Sequence, residues 1–169
     1  MGILSSFKHK FFSAFREVFV HHHGSLEFRA KIFALIVASF ENELDQNKEL
    51  YEIINKYGTE LYNDEHRADL LTITTKELVK KVYDNNGLDI DTLIANIQKD
   101  LRYVPRYAKK IDIEALKPML SLTKDQDLLS YQENILEFLQ NLKDETLNSK
   151  QEQIQQSEEN IVSKYTKAR

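Results

Sequence analysis

Apolar residues recur every three or four positions along most of this chain, which is the spacing of an α-helix with one buried face. The stretch from Leu26 to Phe40 is apolar on nearly every side and predicts a central helix that is buried all round. Amphipathic stretches around residues 3–22, 65–84 and 124–144 predict helices that surround it. Further helices are expected after Asp45 and after Asp89, because aspartate is suited to cap a helix N-terminus.

Glycine and proline mark where these elements are expected to change. Gly24, Gly58 and Gly87 each follow a helical pattern, which is where glycine commonly ends a helix in the left-handed conformation. Pro105 and Pro118 bracket a short and less regular passage. The 169 residues include four glycines and two prolines, fewer than strand-rich folds need for their turns. We therefore predict an all-α fold, a single bundle of about six to seven helices.

Charge and apolar content divide the chain into three parts. Residues 1–24 are predicted to form a basic, Phe-rich helix, and they contain three Lys or Arg and one acidic residue. Residues 25–145 contain the helical bundle and are acidic, with 16 Lys or Arg against 23 acidic residues. In residues 146–169 the apolar positions decrease to about one per heptad, too few for the two-position seam of a coiled coil. A polar tail that is either helical or disordered is predicted there.

The first 24 residues provide the strongest candidate docking surface. They contain five of the nine phenylalanines, and the polar face of the predicted helix is basic. Such a helix can lie at a membrane surface, with aromatic residues among the acyl chains and cations on anionic headgroups. The same stripe is typical of a helix that packs on the bundle or on a protein partner, and the spacing leaves these alternatives open. The candidate docking residues are Phe7, Phe11, Phe12, Phe15, Phe19, Lys8, Lys10 and Arg16.

A short acidic turn joins the central helix to the next one, and residues 38–45 read ASFENELD. This motif resembles the TerB-like fold of bacterial tellurite-resistance proteins and of the N-terminal region of DjlA-type co-chaperones. In that family an Ala-x-x-Asp-Gly-x-Ile/Val-Ser turn occurs in two related helical halves. Residues 122–128 of this chain, which read LTKDQDL, are similar to the turn of the second half in that family. The resemblance covers about residues 25–145 and implies a helical fold with two acidic turns.

The chain departs from the family pattern at residues that would carry its chemistry. Glu41 and Asn42 stand where the family has Asp-Gly, and Gln126 replaces the glycine of the second turn. Seven residues after each leading acid, where the family has glutamate, this chain has Lys48 and Gln132. The resemblance thus implies the fold more strongly than it implies an acidic metal site.

Six acidic residues of the two turns are the candidate metal ligands. Carboxylate oxygens are the ligands that Ca²⁺ and Mg²⁺ prefer, and the family packing would bring the two turns together. In the alternative interpretation Asp45 caps a helix, Glu49 faces the helix dipole and the others are solvated, so that no cofactor is required. The candidate metal residues are Glu41, Glu43, Asp45, Glu49, Asp125 and Asp127.

Other chemical motifs are weaker. Basic and aromatic residues interleave between Lys99 and Lys110, a pattern that can stack bases or hold phosphates, but the acidic body disfavours nucleic acid. His21, His22 and His23 are consecutive, and consecutive helical residues cannot converge on one metal ion. The sequence contains no cysteine, Gly-rich phosphate loop or nucleophile elbow, and no small-molecule substrate is evident. We therefore expect a protein that is not an enzyme.

The sequence predicts a non-catalytic helical interaction or adaptor module with a protein partner, or with an anionic membrane surface. The longest apolar run, residues 32–38, is much shorter than the roughly 20 residues that span a bilayer. Absence of cysteine suits a reducing compartment, so a cytoplasmic protein is expected, either free or peripheral at the inner membrane. The TerB-like resemblance implies a bacterial protein. The alternative, which the family resemblance implies, is a divalent-metal-binding stress-response protein of tellurite-resistance type.

Overall fold

The computed structural model describes residues 24–40, 44–84 and 89–167, which form six α-helices and one 3₁₀-helix without a strand. The 3₁₀-helix, Pro105–Lys110, lies between the fourth and fifth α-helices. This architecture confirms the predicted all-α bundle of six to seven helices. The α-helices are α1 (Gly24–Ala38), α2 (Leu44–Tyr62), α3 (Glu65–Tyr83), α4 (Ile90–Tyr103), α5 (Ile113–Leu120) and α6 (Gln126–Lys167).

Helix α1 lies at the centre of the bundle, as its apolar sequence predicts. Ten of its fifteen residues are buried, and it packs against α3, α4 and the 3₁₀-helix. Lys31 on α1 forms an ion pair with Asp100 of α4, with 2.6 Å between Nζ and Oδ2. Burial of a large apolar side chain contributes roughly 1.5–3 kcal/mol, so α1 supplies much of the apolar core on which the other helices pack.

Aspartate side chains cap the N-termini of α3, α4 and α5. Asp64 precedes α3, Asp89 precedes α4 and Asp112 precedes α5, and each accepts a hydrogen bond from a backbone N–H of the first turn. At Asp89 this backbone hydrogen bond stabilises the ionised carboxyl and lowers its pKa. The caps at Asp64 and Asp89 confirm the helix starts predicted from the sequence.

The predicted helix end at Gly58 is wrong, because α2 continues through Gly58 to Tyr62. The chain turns instead at Asn63, whose φ of 50° is in the left-handed region that asparagine tolerates. Gly58 allows a close approach of two helices, since a Cβ atom there would lie 2.9 Å from the Cα of Ala68 in α3. Gly24 begins α1, and Gly87 lies outside the described residues.

The described part of the C-terminal tail, residues 146–167, is helical, which is the first of the two predicted alternatives. Helix α6 is continuous over 42 residues, which at 1.5 Å per residue is about 63 Å. Its first part packs on the 3₁₀-helix and α5, where Lys143 Nζ donates a hydrogen bond to the Ile111 carbonyl at 2.8 Å. From residue 151 onward the described side chains are exposed. Among the described helices, none combines the length and apolar character needed to cross a membrane.

Candidate functional sites

Two groups of predicted site residues lie outside what the structure describes. The first group is the candidate docking surface near the N-terminus, and the second is the beginning of the first acidic turn. The predictions made for these residues therefore stay predictions. The residues concerned are Phe7, Phe11, Phe12, Phe15, Phe19, Lys8, Lys10, Arg16, Glu41, Glu43 and, for its side chain, Asp45.

A buried glutamine connects the two turn regions that the family resemblance pairs. Gln132 of α6 is fully buried, and its Nε2 donates a hydrogen bond to Oγ of Ser39, just after α1, at 3.1 Å. Its Oε1 accepts a hydrogen bond from Oγ1 of Thr123, in the loop before α6, at 2.6 Å. The two turn regions thus meet at one end of the bundle, with a neutral amide between them.

The described acidic candidates face solvent around this end of the bundle. Glu49, Asp125 and Asp127 are exposed, and Oδ1 of Asp125 accepts a hydrogen bond from the backbone N–H of Leu128 at 2.9 Å. That bond caps the start of α6. Within the described residues, no three His, Asp or Glu side chains are placed to hold one metal ion. The geometry here is that of a helix cap next to a buried hydrogen-bonded bridge.

The 3₁₀-helix holds a basic and aromatic pair against the start of α1. The guanidinium carbon of Arg106 is 5.6 Å from the ring centre of Tyr107. The Tyr107 ring also packs on Phe28 of α1, with 5.3 Å between ring centres. A Cβ atom at Gly24 would lie 2.5 Å from the Tyr107 hydroxyl, so glycine allows this close contact. Tyr107 is therefore a packing residue as well as part of the basic and aromatic pattern.

Arg29 of α1 adds a cation that the sequence pattern does not single out. Its guanidinium carbon is 5.7 Å from the ring centre of Tyr62, and that of Arg67 is 5.9 Å from the same ring. The Nε atom of Arg29 is buried and has no hydrogen-bond partner. The signal in the sequence is weak, because it consists of one arginine within a mostly apolar helix. Sequence reasoning missed Arg29 because its neighbours come from distant parts of the chain.

The pKa of Lys110 is affected by Arg29 and by the other cations of the 3₁₀-helix. Burial lowers the pKa of Lys110, and the positive charges of Arg29, Arg106 and Lys109 lower it further. Arg106, Lys109 and Lys110 all belong to the 3₁₀-helix, and Arg29 of α1 adds to the positive charge that acts on Lys110.

A groove of about 900 Å³ runs between α2 and α3. Nζ of Lys76 lies 5.0 Å from the ring centre of Tyr51, and Nδ2 of Asn55 donates a hydrogen bond to Oδ1 of Asp69 at 2.9 Å. Burial raises the pKa of Tyr51, and Tyr83 raises it further, so the Tyr51 hydroxyl stays neutral near pH 7. These polar groups pair with one another, an arrangement that supports packing of the two helices rather than chemistry.

The second part of α6 exposes large apolar side chains. Ile154 is 50% exposed, Ile161 is 55%, Val162 is 63% and Tyr165 is 77%. The spacings of seven and four residues place Ile154, Ile161 and Tyr165 on one face of the helix. A groove of about 470 Å³ lies between α6 and the end of α4, where α6 leaves the bundle. About one apolar residue per heptad is too few for a regular coiled-coil seam, but large apolar side chains exposed on one helix face make this face a candidate contact surface for another helix.

Comparisons with models of known protein families, with curated proteins and with solved structures found no match. The class that the structure defines is an all-α helical bundle with a long C-terminal helix. The TerB-like resemblance stays a prediction that rests on the two turn motifs.

Proposed function

We propose that this protein is a non-catalytic interaction module, an adaptor that works within a larger protein assembly. The observation that carries the proposal is the exposed part of α6, residues 151–166. None of the described residues of the bundle covers the apolar stripe of this segment, yet the segment continues the helix for more than four turns. In the proposed mechanism the bundle is the platform, and the exposed segment of α6 binds a partner helix.

Helix pairing would stabilise this segment of α6. An isolated helix of fewer than about 12–15 residues is marginal in water, and most helical stability in proteins comes from packing of an amphipathic face. Ile154, Ile161 and Tyr165 provide such a face, and Val162 lies beside it. A partner helix that covers this face would bury the apolar side chains and fix the segment.

The partner that the charges of this segment favour is the same segment of a second copy, running antiparallel. The segment is acidic at Glu152, Glu158 and Glu159, and then basic at Lys164 and Lys167. Antiparallel pairing that sets Ile154 of one copy against Ile161 of the other also brings Lys164 near Glu152. Parallel pairing would place identical charges beside each other along the whole segment, whereas this antiparallel register does so only near Glu158, which is less unfavourable.

The double substitution Ile154→Asp/Ile161→Asp is expected to abolish self-association of the full chain. The introduced carboxylates would have to lose water inside the helix pair, which is costly for an unpaired charge. Sedimentation velocity over a wide concentration range should show a monomer for this variant and a monomer–dimer equilibrium for the wild type. A wild-type chain that stays monomeric throughout would contradict self-pairing.

A matched control separates loss of pairing from loss of helix. Gln156→Asp/Ser163→Asp introduces the same two charges about 200° around the helix from Ile154 and Ile161. These positions are also exposed. We expect the control variant to dimerise like the wild type. Equal loss of the dimer in both variants would mean that charge or helicity, and not the apolar stripe, controls association.

The membrane surface is a second candidate setting, favoured by where residues 1–24 join the bundle. Gly24 lies against Tyr107 of the 3₁₀-helix, which carries Arg106, Lys109 and Lys110. A basic and Phe-rich segment thus leads into a basic surface. Anionic lipid would attract both parts through their charges, with a contribution of about 1 kcal/mol per cation near the surface.

Replacing Lys8, Lys10 and Arg16 with glutamine is expected to abolish salt-sensitive binding to anionic vesicles. The physical reason is that these cations would supply the attraction to the headgroups, while the phenylalanines enter the acyl boundary. Co-sedimentation with vesicles of phosphatidylglycerol, compared with phosphatidylcholine, measures this. The control is Lys56→Gln/Lys80→Gln/Lys81→Gln, which removes three exposed cations from α2 and α3. Equal binding of the two variants would argue against docking through the N-terminal segment.

A further inference from the structure

We propose that residues 1–23 cover the apolar stripe of α6 in the same chain, and so regulate how much of the stripe is free to pair. The stripe consists of Ile154, Ile161 and Tyr165, which are at least half exposed in the structure. The cover is intramolecular and needs no second molecule. This inference rests on the proposed self-pairing only where the cover and a second copy compete for the stripe.

Helices α1 and α6 run in opposite directions through the bundle. At one end, Ser39, just after α1, accepts a hydrogen bond from Gln132 near the start of α6. At the other end, Gly24 lies against Tyr107 of the 3₁₀-helix. The first residue of that 3₁₀-helix, Pro105, lines the groove where α6 leaves the bundle. A chain that continues backwards from Gly24 therefore leaves the bundle at the end from which α6 projects.

The stripe lies on the side of α6 that faces the bundle. Leu136 is buried in the core, and Ile154 follows it by 18 residues along one continuous helix. Eighteen residues make about five full helical turns, so the two side chains point in the same direction. From residue 151 onward the described side chains are exposed. The described residues thus leave the bundle-facing side of this segment open to a segment that leaves the bundle beside it.

The length of the N-terminal segment matches the exposed part of α6. Residues 1–23 lie outside what the structure describes, and the sequence predicts a helix over residues 3–22. At 1.5 Å per residue such a helix measures about 30 Å, and residues 151–167 of α6 measure about 26 Å. Equal rise in two antiparallel helices, counted from the contact between Ser39 and Gln132, sets Ala14 at about the level of Ser157. The segment can therefore run along the whole stripe.

The composition of the N-terminal segment complements that of α6. Its predicted apolar face is rich in phenylalanine, and a buried aromatic side chain removes roughly 150–250 Å² from water. Residues 1–24 contain three Lys or Arg and one acidic residue, whereas residues 151–163 contain three glutamates and no Lys or Arg. Opposite charges on facing helices favour their contact. Apolar and charged residues therefore both favour this segment as the occupant of the stripe.

An occupant from the same chain also has a concentration advantage over a second copy. A short connection gives two parts of one chain an effective concentration of roughly millimolar, whatever the protein concentration. A second copy must reach a comparable concentration to displace the segment. Self-pairing of α6 would then begin only in chains whose N-terminal segment has left the stripe.

Cross-linking of introduced cysteines in the full chain tests the proposal, because the natural sequence contains no cysteine. Ala14→Cys/Ser157→Cys places one thiol beside the predicted Phe face and one beside the stripe. The matched control is Ala14→Cys/Ser130→Cys, since the exposed Ser130 lies about 40 Å from Ser157 along α6. At low protein concentration a short bismaleimide should link the first pair within one chain about tenfold or more faster than the control pair. Denaturing electrophoresis and peptide mass spectrometry identify the links, and circular dichroism verifies folding.

Charges introduced into the Phe face test whether that face makes the contact. In the background of the first cysteine pair, Phe11→Asp/Phe15→Asp is expected to remove the internal link, because an unpaired charge is costly to bury. Ser6→Asp/Ser13→Asp adds the same charges to the opposite, polar face and should keep the link. The proposal is overturned if the two aspartate variants lose the link equally, or if the first cysteine pair links no faster than the Ser130 control. A chain without the internal link that binds phosphatidylglycerol vesicles through residues 1–23 also overturns it.

The single substitution Ser157→Cys separates the cover from self-pairing. In the proposed antiparallel pair residue 157 of one copy lies opposite residue 158 of the other, so the reagent should link two chains at high protein concentration. Phe11→Asp/Phe15→Asp is expected to tighten this self-association about tenfold or more, because fewer chains are then covered. Links between chains without an internal link leave self-pairing intact and overturn the cover. An internal link without links between chains at any concentration supports the cover and contradicts self-pairing.

Discussion

Replacing Gly58 with valine is expected to lower the free energy of unfolding by about 3 kcal/mol, the upper part of the range measured for overpacked sites. A Cβ atom at residue 58 would lie 2.9 Å from Cα and 3.1 Å from Cβ of Ala68, and 3.4 Å from Cδ2 of Leu71. The closest atom belongs to the backbone of α3, so a change of rotamer cannot relieve the clash. The two helices would have to move apart, and α3 also packs on the central helix α1.

Intrinsic helix propensity alone would predict the opposite effect, an increase in stability when Gly58 is replaced. Glycine inside a helix is less favourable than alanine by about 1 kcal/mol, so Gly58→Ala would be stabilising if the site were open. We expect Gly58→Ala to be destabilising and Gly58→Val to be more so, as followed by urea unfolding with far-UV circular dichroism. Glu60→Val on the exposed side of α2 is the control and should stay within about 1 kcal/mol of the wild type. A Gly58→Val chain as stable as this control would contradict the close contact.

Gly58 also illustrates what local sequence could and could not predict. The apolar sequence of α1, and the caps at Asp64 and Asp89, depend on residues a few positions apart, so they could be predicted from the sequence. Whether a glycine ends a helix or allows a neighbour to approach depends on a residue in another helix, here Ala68. Helix α2 ends at Tyr62, and the chain turns at Asn63, which can adopt the left-handed conformation at a small cost.

The candidate sites show the same division between local and distant contacts. Acidic turns and exposed heptad positions are visible in the sequence because their residues are neighbours. Gln132 bridges to Ser39, 93 residues earlier in the chain, and no pattern in either segment predicts that hydrogen bond. The contact of Arg29 with Tyr62 likewise becomes apparent only when α1 and α2 are placed together.

The substitution Gln132→Glu is expected to lower the free energy of unfolding at pH 7 by about 3 kcal/mol or more, because it buries a charge without a compensating partner. The wild-type amide donates a hydrogen bond to Oγ of Ser39. The Ser39 hydroxyl donates its own hydrogen to the Ile36 carbonyl, so an introduced carboxylate would face an oxygen lone pair. The hydrogen bond from Thr123 to the side-chain oxygen could persist, but it would not replace the lost hydration.

The loss of stability caused by Gln132→Glu should depend on pH, and burial of the carboxyl determines whether it grows or shrinks as pH rises. Burial raises the pKa of the introduced carboxyl above the value of about 4.3 that glutamate has in an unfolded chain. Between these two pKa values the native state binds more protons than the unfolded state, so stability falls as pH rises, by up to about 1.4 kcal/mol per pH unit. Below pH 4 the neutral carboxyl can donate to Ser39, and the deficit relative to the wild type should be smallest. Urea unfolding of both chains at several pH values measures the difference.

Gln132→Leu is the matched control, since it removes the same hydrogen bonds without adding a titratable group. Its deficit relative to the wild type should not change with pH. A pH-independent deficit for Gln132→Glu would mean that the carboxylate reaches water, which contradicts the full burial of this side chain.

Repeating the Gln132→Glu measurement with Ca²⁺ or Mg²⁺ adds a test of the TerB-like resemblance, because the family pattern has glutamate here. If the cation restores stability to this variant and leaves the wild type unchanged, the turns have the geometry of an acidic metal site and the amide is what removes the affinity. If the cation changes the free energy of unfolding of neither chain, Gln132 is a structural bridge and does not replace a metal ligand.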